Sequence, residues 1–147
     1  MAYTIDTYYE TEIKVKGSKF IAVIFPVDRV EDAMNRLNDV RTHHPKATHH
    51  CWAYKVGCPV TGYRMSDDGE PSGTAGRPIL GQINSNQLTD ILIIVVRYFG
   101  GVLLGTSGLI TAYKAAAAEA IAASDIIDCI IESTYTVTFG YEQMNGV

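Results

Sequence analysis

The chain has 147 residues, of which 47% are hydrophobic, so it can bury one full core and we expect one main domain. Twelve basic and sixteen acidic residues give a net charge of -4, which argues against a protein whose whole surface attracts nucleic acid. No apolar run approaches the roughly 20 residues of a membrane helix, so we expect a soluble, cytoplasmic protein that does not enter a membrane.

The first predicted elements are a β-hairpin and an amphipathic helix. The segments "YYETEIKVKG" and "SKFIAVIFPV", within residues 8–27, have the character of strands, and Gly17 with Ser18 marks the turn between them. The segment "RVEDAMNRLNDVRTHH" follows with apolar residues at helical spacing. We predict that Asp28 caps this helix and that Pro45 ends it.

The middle of the chain alternates strands with a polar loop. "HHCWAYKVG" is predicted as a strand, and the loop "RMSDDGEPSGTAGRPIL" occupies residues 64–80. Pro78 suits the first turn of a short helix, "RPILGQIN", where its missing N–H costs nothing. "DILIIVVRYF" is almost wholly apolar, which predicts a central strand buried on both faces.

The last segments are a glycine-punctuated turn, an alanine-rich helix and a strand-like tail. In "GGVLLGTSGLITAYKAAAAEAIAAS" we predict a helix capped by Thr106 or Ser107 and ending near Ala123. The tail "DIIDCIIESTYTVTFGYEQMNGV" is predicted to form one or two strands. An unpaired strand from Ile126 to Phe139 would leave an open edge, so we expect the chain either to self-associate through this tail or to leave the tail mobile.

The turn "RYFGGVLLGTSG" is one candidate site. A strand, a glycine-rich turn and a helix start present backbone N–H groups and a positive helix end to an anion. Gly100, Gly101, Gly105 and Gly108 would let the backbone approach a phosphate, although neither nucleotide fingerprint is present. The alternative is a structural turn whose glycines adopt positive φ.

The acids of the polar loop are a second candidate. Asp67, Asp68 and Glu70 could act as general acid, general base or metal ligands. Alternatively, they could cap helices or turns and form salt bridges with Arg64, Arg77 or Arg97. Arg97 interrupts an apolar strand at its carboxyl end, where sites often form. No residue is assigned a catalytic role.

Histidine and cysteine do not predict a metal centre. His49 and His50 are neighbours on a predicted strand, so their side chains point to opposite faces. The three cysteines, Cys51, Cys58 and Cys129, lack metal-type pairing and favour a reducing compartment. We therefore predict no metal and no cofactor.

Four blocks resemble the YigZ/IMPACT family in order and spacing: "SKFIAVIFPV", "HHCWAYKVG", "RMSDDGEPSGTAGRPIL" and "IIVVRYFGGVLLGTSGLITAYKAAA". The resemblance covers about residues 15–123. Ser107 departs from the glycine expected in the motif that resembles "LGTGGL", which concerns only the fine geometry of the turn.

The resemblance implies a two-layer α+β domain with the fold of the second domain of small-subunit ribosomal protein S-five, including a left-handed βαβ unit. Such a unit departs from the usual hand of crossover connections. It also implies that residues 1–124 form the N-terminal domain of the family and that residues 125–147 begin a ferredoxin-like second domain, apparently truncated.

Eukaryotic members of the family restrain a stress-activated kinase of a translation initiation factor by competing for its activator. The resemblance therefore implies a cytoplasmic binding and regulatory module whose partner is a protein of the translation apparatus or its regulators. One alternative is an enzyme or binder acting on a phosphorylated small molecule in a groove between the "SDDGEPSGTAG" loop and the "RYFGG" turn. A second alternative is a nucleic-acid-binding module, which the net charge disfavours.

The predicted binding surface combines the polar loop with the glycine-rich turn. We expect the loop acids to face solvent and the hydroxyl groups to support the loop backbone through local turns. The candidate binding residues are Asp67, Asp68, Glu70, Ser72, Thr74, Arg77, Arg97, Gly100, Gly101, Gly105, Thr106 and Ser107.

Overall fold

The computed structural model describes residues 1–130, which contain three helices and seven strands. In chain order the elements are β1 (Tyr3–Thr4), β2 (Tyr9–Val15), β3 (Ser18–Pro26), α1 (Val30–His43), β4 (His49–Val56), β5 (Gly62–Ser66), α2 (Gly76–Ser85), β6 (Ile91–Tyr98), α3 (Gly105–Ala123) and β7 (Ile127–Asp128). The predicted hairpin, the three helices and the strands of "HHCWAYKVG" and "DILIIVVRYF" are all present. Strand β5 was not predicted, because its exposed polar residues look like the beginning of the loop.

Five strands form the main sheet in the order β2-β3-β6-β4-β5, and every neighbouring pair is antiparallel. β6 lies in the middle of this order, as its apolar sequence predicts. Its residues from Ile91 to Arg97 are all buried. The α+β class is therefore confirmed.

Apolar side chains on the two faces of the sheet form two separate cores. On one face, alternate residues such as Phe20 and Val95 pack against α2 and α3. On the other face, their neighbours, such as Ile21 and Val96, pack against α1. Because both faces are apolar and both need cover, α1 makes a third layer that the two-layer expectation did not contain.

The sheet has two crossover connections, and they have opposite hands. β3 and β4 are both antiparallel to β6, so they are parallel to each other, and α1 joins them. β5 and β6 are both antiparallel to β4, and α2 joins them across the other face. Rotating the first unit by 180° about an axis perpendicular to the sheet gives its strands the same direction, and the same sideways move across the sheet, as those of the second unit. The rotation does not exchange the faces of the sheet, so the two helices still lie on opposite faces. One of the two βαβ units is therefore left-handed, as the resemblance implies.

Two predicted helix caps are wrong. Helix α1 begins at Val30 after an extended Arg29, so Asp28 lies one residue too early and gives no side-chain cap. Helix α3 begins at Gly105, which places Thr106 and Ser107 inside its first turn. A positive φ of 75° at Gly105 lets the chain turn directly into the helix.

The beginning of the predicted tail strand is paired within the chain. β7 pairs with β1, where Tyr3 lies opposite Asp128 and Thr4 opposite Ile127. The rest of the tail, and most of the predicted second domain, lie outside the described residues, so self-association and the domain boundary stay predictions. Within residues 1–130, no helix has the length and apolar character needed to cross a membrane.

Candidate functional site

A buried ion pair between Arg97 and Glu70 lies where the polar loop meets the end of β6. Their exposed fractions are 5% and 8%, and Arg97 Nη1 donates to Glu70 Oε2 over 2.8 Å. Burying two charges is costly unless each has further hydrogen-bond partners. Both residues have such partners.

Glu70 contacts two further side chains, of which only Tyr113 donates to it when His49 is neutral. The Tyr113 hydroxyl on α3 donates to Oε2, and His49 Nε2 on β4 lies 3.4 Å from Oε1. His49 Nδ1 donates to the backbone carbonyl of Asp68 over 2.8 Å, because a carbonyl can only accept. Burial, followed by the nearby Cys51 thiol and Glu70, raises the pKa of Tyr113, so this phenol stays protonated and donates.

Arg97 is also held on its other side. Nη2 and Nε donate to Ser18 Oγ at 3.2 and 3.4 Å, and the same hydroxyl accepts from the Gly100 N–H at 3.1 Å. The guanidinium lies 5.6 Å from the ring centre of Phe20 and 5.5 Å from that of Phe99. It therefore joins the β2-β3 turn, β6 and the polar loop.

The side chain of Asp67 caps the amino end of helix α2, although Asp67 lies nine residues before Gly76, where the helix begins. Its carboxylate accepts hydrogen bonds from the backbone N–H groups of Gly73, Ala75 and Gly76, at 2.9 to 3.1 Å. Burial acts to raise the pKa of Asp67, but these three hydrogen bonds outweigh it and lower the pKa below its ordinary value. This carboxylate is therefore part of the loop's own scaffold.

The expectation that the loop acids face solvent is wrong. Asp68 Oδ2 accepts from the backbone N–H of His50 over 2.7 Å. Asp67 accepts from backbone N–H groups at the start of α2, and Glu70 pairs with Arg97. The supporting role predicted for the hydroxyl groups is seen at Thr74, which is buried and donates to the Pro71 carbonyl over 2.6 Å. A loop so rich in polar groups orders itself by satisfying them internally.

The predicted groove between the loop and the "RYFGG" turn is present as a cavity of about 370 Å³. His49, Glu70 and Arg97 form its polar side. Most of the remaining wall is apolar and comes from Pro71, Phe99, Leu103, Leu104 and Leu109. The first turn of α3 completes the cavity with Gly105 and Thr106.

The other predicted site residues lie outside this cavity lining. Ser72, Arg77, Gly101 and Ser107 are exposed. Gly100 packs against the β2-β3 turn so closely that a Cβ there would come 2.1 Å from the Gly17 carbonyl carbon. Asp67, Asp68 and Thr74 form the loop scaffold.

Sequence reasoning missed His49, Ser18 and Tyr113 as members of the network. The sequence contained one signal of this network, which is Arg97 within a predicted buried strand. A charge in such a position requires a buried acid and further donors or acceptors. The identity of those groups depends on which elements meet at the end of β6. A larger cavity, about 410 Å³, lies on the opposite face beside α1 and contains none of the predicted residues.

Exposed apolar side chains lie at the cavity lining or directly next to it in sequence: Phe99 and Leu103 line the cavity, and Val102 precedes Leu103. Leu103 is 84% exposed, Val102 is 48% exposed and Phe99 is 47% exposed. We call these three residues the apolar rim. Clustered exposed apolar groups beside a cavity are typical of interaction sites.

One lysine lies on the turn beside Gly100, and two others lie on the α1 face of the hairpin. The β2-β3 turn contacts Gly100 and carries Lys16, while Lys14 and Lys19 face each other across the hairpin. Lys19 Nζ lies 5.3 Å from the ring centre of Tyr98. Like charges directly opposite on a ladder repel, so this end of the molecule favours an acidic neighbour.

Comparison with known proteins gives consistent matches. A sequence model described as "Impact N-terminal domain" matches residues 16–121. The Escherichia coli (strain K12) protein "IMPACT family member YigZ" is 39% identical over 136 residues, which cover 91% of this chain and 67% of that protein. An "IMPACT family member" of Haemophilus influenzae is 45% identical over 104 residues, covering 69% and 50%.

A solved structure, "Crystal structure of an hypothetical protein", superposes with a TM-score of 0.82 at 37% identity. It covers 86% of this chain and 62% of that one. The chain thus spans between half and two thirds of the length of these relatives.

Proposed function

The chain belongs to the IMPACT family, and from this premise we propose that it is a cytoplasmic binding and regulatory domain that acts on translation. It recognises a protein of the translation apparatus or one of its regulators. The translational setting rests on what the family resemblance implies. The binding mode rests on the site described above.

The apolar rim beside a rigid cavity is the observation that carries this proposal. Phe99, Val102 and Leu103 expose side chains that a single domain would normally bury. Glu70 and Arg97 hold the cavity floor through buried hydrogen bonds, so the site needs little ordering when a partner binds. Apolar anchors seated in preformed pockets supply much of the affinity at protein interfaces.

The surrounding charges indicate the chemistry of the partner. Lys16 lies on the turn that contacts Gly100, and Lys14 and Lys19 pair in the strands on either side of that turn. An acidic segment with an apolar side chain would complement both Lys16 and the apolar rim. We therefore propose a protein segment of this kind as the occupant.

The alternative of an enzyme acting on a phosphorylated small molecule has less support. Asp67 caps α2, Asp68 binds the His50 N–H and Glu70 pairs with Arg97, so all three acids already have structural tasks. The charge of Arg97 is offset by Glu70 at 2.8 Å, which weakens its attraction for phosphate. For the same reason Arg97 should attract the phosphate groups of a nucleic acid only weakly, so the nucleic-acid-binding alternative also has less support.

The test is affinity capture with the full chain as bait. Ribosomal proteins and translation factors bound from a cytoplasmic lysate are quantified by mass spectrometry. We expect Leu103→Asp to reduce the capture of specific partners by tenfold or more (about 1.4 kcal/mol or more), because a buried charge would replace an interface anchor.

Val60→Asp is the matched control. Val60 is 44% exposed and follows the opposite end of β4, so its substitution should leave capture unchanged. Equal capture by Leu103→Asp and the unsubstituted chain would place the binding surface elsewhere. If the unsubstituted chain enriches no protein of translation, the functional proposal itself fails.

A further inference from the structure

Two cysteines approach each other at the end of the molecule opposite the site cavity. Cys58 follows the carboxyl end of β4, whereas His49, at the amino end of that strand, lines the cavity. The Cys58 thiol lies 3.7 Å from the backbone carbonyl oxygen of Cys129, just after β7. The two residues are 71 positions apart in sequence and are brought together only by the fold.

An aspartate joins the pair. Asp90 Oδ1 accepts the Gly57 N–H over 2.7 Å, and Asp90 Oδ2 lies 3.9 Å from Cys129 Sγ. One carboxylate therefore contacts the residue before Cys58 and the thiol of Cys129. Asp90 has a φ of 54°, a conformation uncommon outside glycine, asparagine and aspartate.

The three thiols differ in how accessible they are. Burial, then the hydrogen bond with Cys58 and the charges of Cys58 and Asp90, raise the pKa of Cys129 to about 12, so this residue stays a thiol at neutral pH. Cys51, the third cysteine, is fully buried, and burial raises the pKa of its thiol as well. Cys58 and Cys129 are both partly exposed, whereas Cys51 is buried, so these two are the thiols that a peroxide can reach.

We propose that Cys58 and Cys129 form a reversible disulfide on exposure to hydrogen peroxide, with Asp90 assisting Cys129. In the first step Cys58 sulfur attacks one peroxide oxygen, the O–O bond breaks, and Cys58 sulfenic acid and water are produced. In the second step Cys129 sulfur attacks Cys58 sulfur and gives its proton to Asp90. The S–O bond breaks, hydroxide leaves and takes up a proton as water, and the S–S bond forms.

The two steps balance, because two thiols and one peroxide give one disulfide and two water molecules. The two sulfur atoms together lose two electrons, which the peroxide gains. A thiol reductant then reduces the disulfide and restores both cysteine thiols. This chemistry does not depend on the proposed function.

The disulfide would hold together three parts of the chain, which are β1, β7 and the connection between β4 and β5. β7 already pairs with β1, and the Cys129 N–H donates to the Ala2 carbonyl over 2.9 Å. A bond to Cys58 would tie both strands to the connection between β4 and β5. It would therefore fix the path of the chain after α3 without contacting the apolar rim.

The test is peptide mapping of the full chain after treatment with equimolar hydrogen peroxide and blocking of free thiols. Trypsin places the three cysteines on separate peptides, residues 47–55, 56–64 and 115–147. We expect peptide 56–64 joined to peptide 115–147, at a mass lower by two hydrogen atoms than their sum, and release of both by reduction. Cys51→Ala should form the same product, whereas Cys58→Ser and Cys129→Ser should not.

Asp90→Asn tests the role of the carboxylate. Asparagine keeps an oxygen for the Gly57 N–H and tolerates the positive φ, but it cannot take the proton. We expect disulfide formation about tenfold slower or more, with sulfenic acid on Cys58 trapped by dimedone. An unchanged rate would exclude Asp90 as the base.

A mixture of normal and nitrogen-15-labelled chains separates bonds within a chain from bonds between chains. Joined peptides of a single isotope support the proposal. Joined peptides of mixed isotopes, or no joined peptide while Cys58 oxidises further, would overturn it.

Discussion

At the residue scale, the pairing of Glu70 with Arg97 sets the energetics of the site. Glu70→Gln leaves Arg97 buried without its counter-charge, and we expect a loss of about 3 kcal/mol or more in the free energy of unfolding. The measurement is urea denaturation at neutral pH. Glu12→Gln is the control, because Glu12 is exposed on the edge strand β2.

The double variant Glu70→Gln with Arg97→Met should recover part of this loss. It removes both charges and restores an uncharged, well-filled interior. A single Glu70→Gln variant as stable as Glu12→Gln would show that the ion pair contributes little.

Asp67 makes stability depend on acid pH. The pKa of its carboxylate is lower in the folded chain than the ordinary 3.8, so its contribution is complete above that value and is lost as pH falls through the folded pKa. We expect Asp67→Asn to unfold more easily at neutral pH by about 1 kcal/mol, as for other lost helix caps. Its stability should also fall less than that of the unsubstituted chain below about pH 4.

Thermal unfolding of both proteins between neutral and acid pH measures this difference. Parallel curves at all pH values would contradict the capping role. The sequence identified Asp67 as important, but only the fold showed that its partners are the backbone N–H groups of Gly73, Ala75 and Gly76.

At the element scale, helix α2 contains two glycines with opposite requirements. At Gly81 a Cβ would meet nothing within 4 Å, so Gly81→Ala should stabilise the helix by about 0.5 to 1 kcal/mol. At Gly76 a Cβ would come 2.9 Å from the Ser66 N atom in β5, so Gly76→Ala should destabilise the protein. Melting temperatures of the two variants give the comparison within one helix, and equal shifts would contradict it.

The same contact explains why α2 begins where it does. Gly76 lets the helix start against the backbone of β5, and Pro78 lies within its first turn as predicted. Local propensity indicates such a helix from sequence, whereas the close approach to β5 is visible only in the fold.

At the scale of the whole molecule, charge distribution separates the proposed function from its alternatives. Glu70 offsets Arg97, and Asp67 is close enough to Arg77 for the two charges to attract. We therefore expect millimolar phosphate to leave the melting temperature of the chain unchanged. The variant Glu70→Gln frees the charge of Arg97, so phosphate should raise its melting temperature. A rise in the unsubstituted chain would favour the small-molecule alternative.

The sequence by itself determined the elements with strong periodicity and the family. Alternation in the hairpin and the alanine-rich run of α3 each favour one conformation locally, and the short length and β-branched residues of β6 favour a strand for its continuous apolar run. The motif blocks were long enough to identify the family and its α+β class. They also placed the cavity between the polar loop and the glycine-rich turn.

Only the tertiary structure decided which groups meet. His49, Glu70, Arg97 and Tyr113 lie on different elements, and their contacts depend on sheet order and on the placement of α3. The third layer has the same origin, because an amphipathic helix such as α1 specifies that one of its faces is buried but not which face of the sheet buries it. Loop acids look solvent-exposed in sequence, since nothing local shows that an arginine and three backbone N–H groups will be brought to them by the fold.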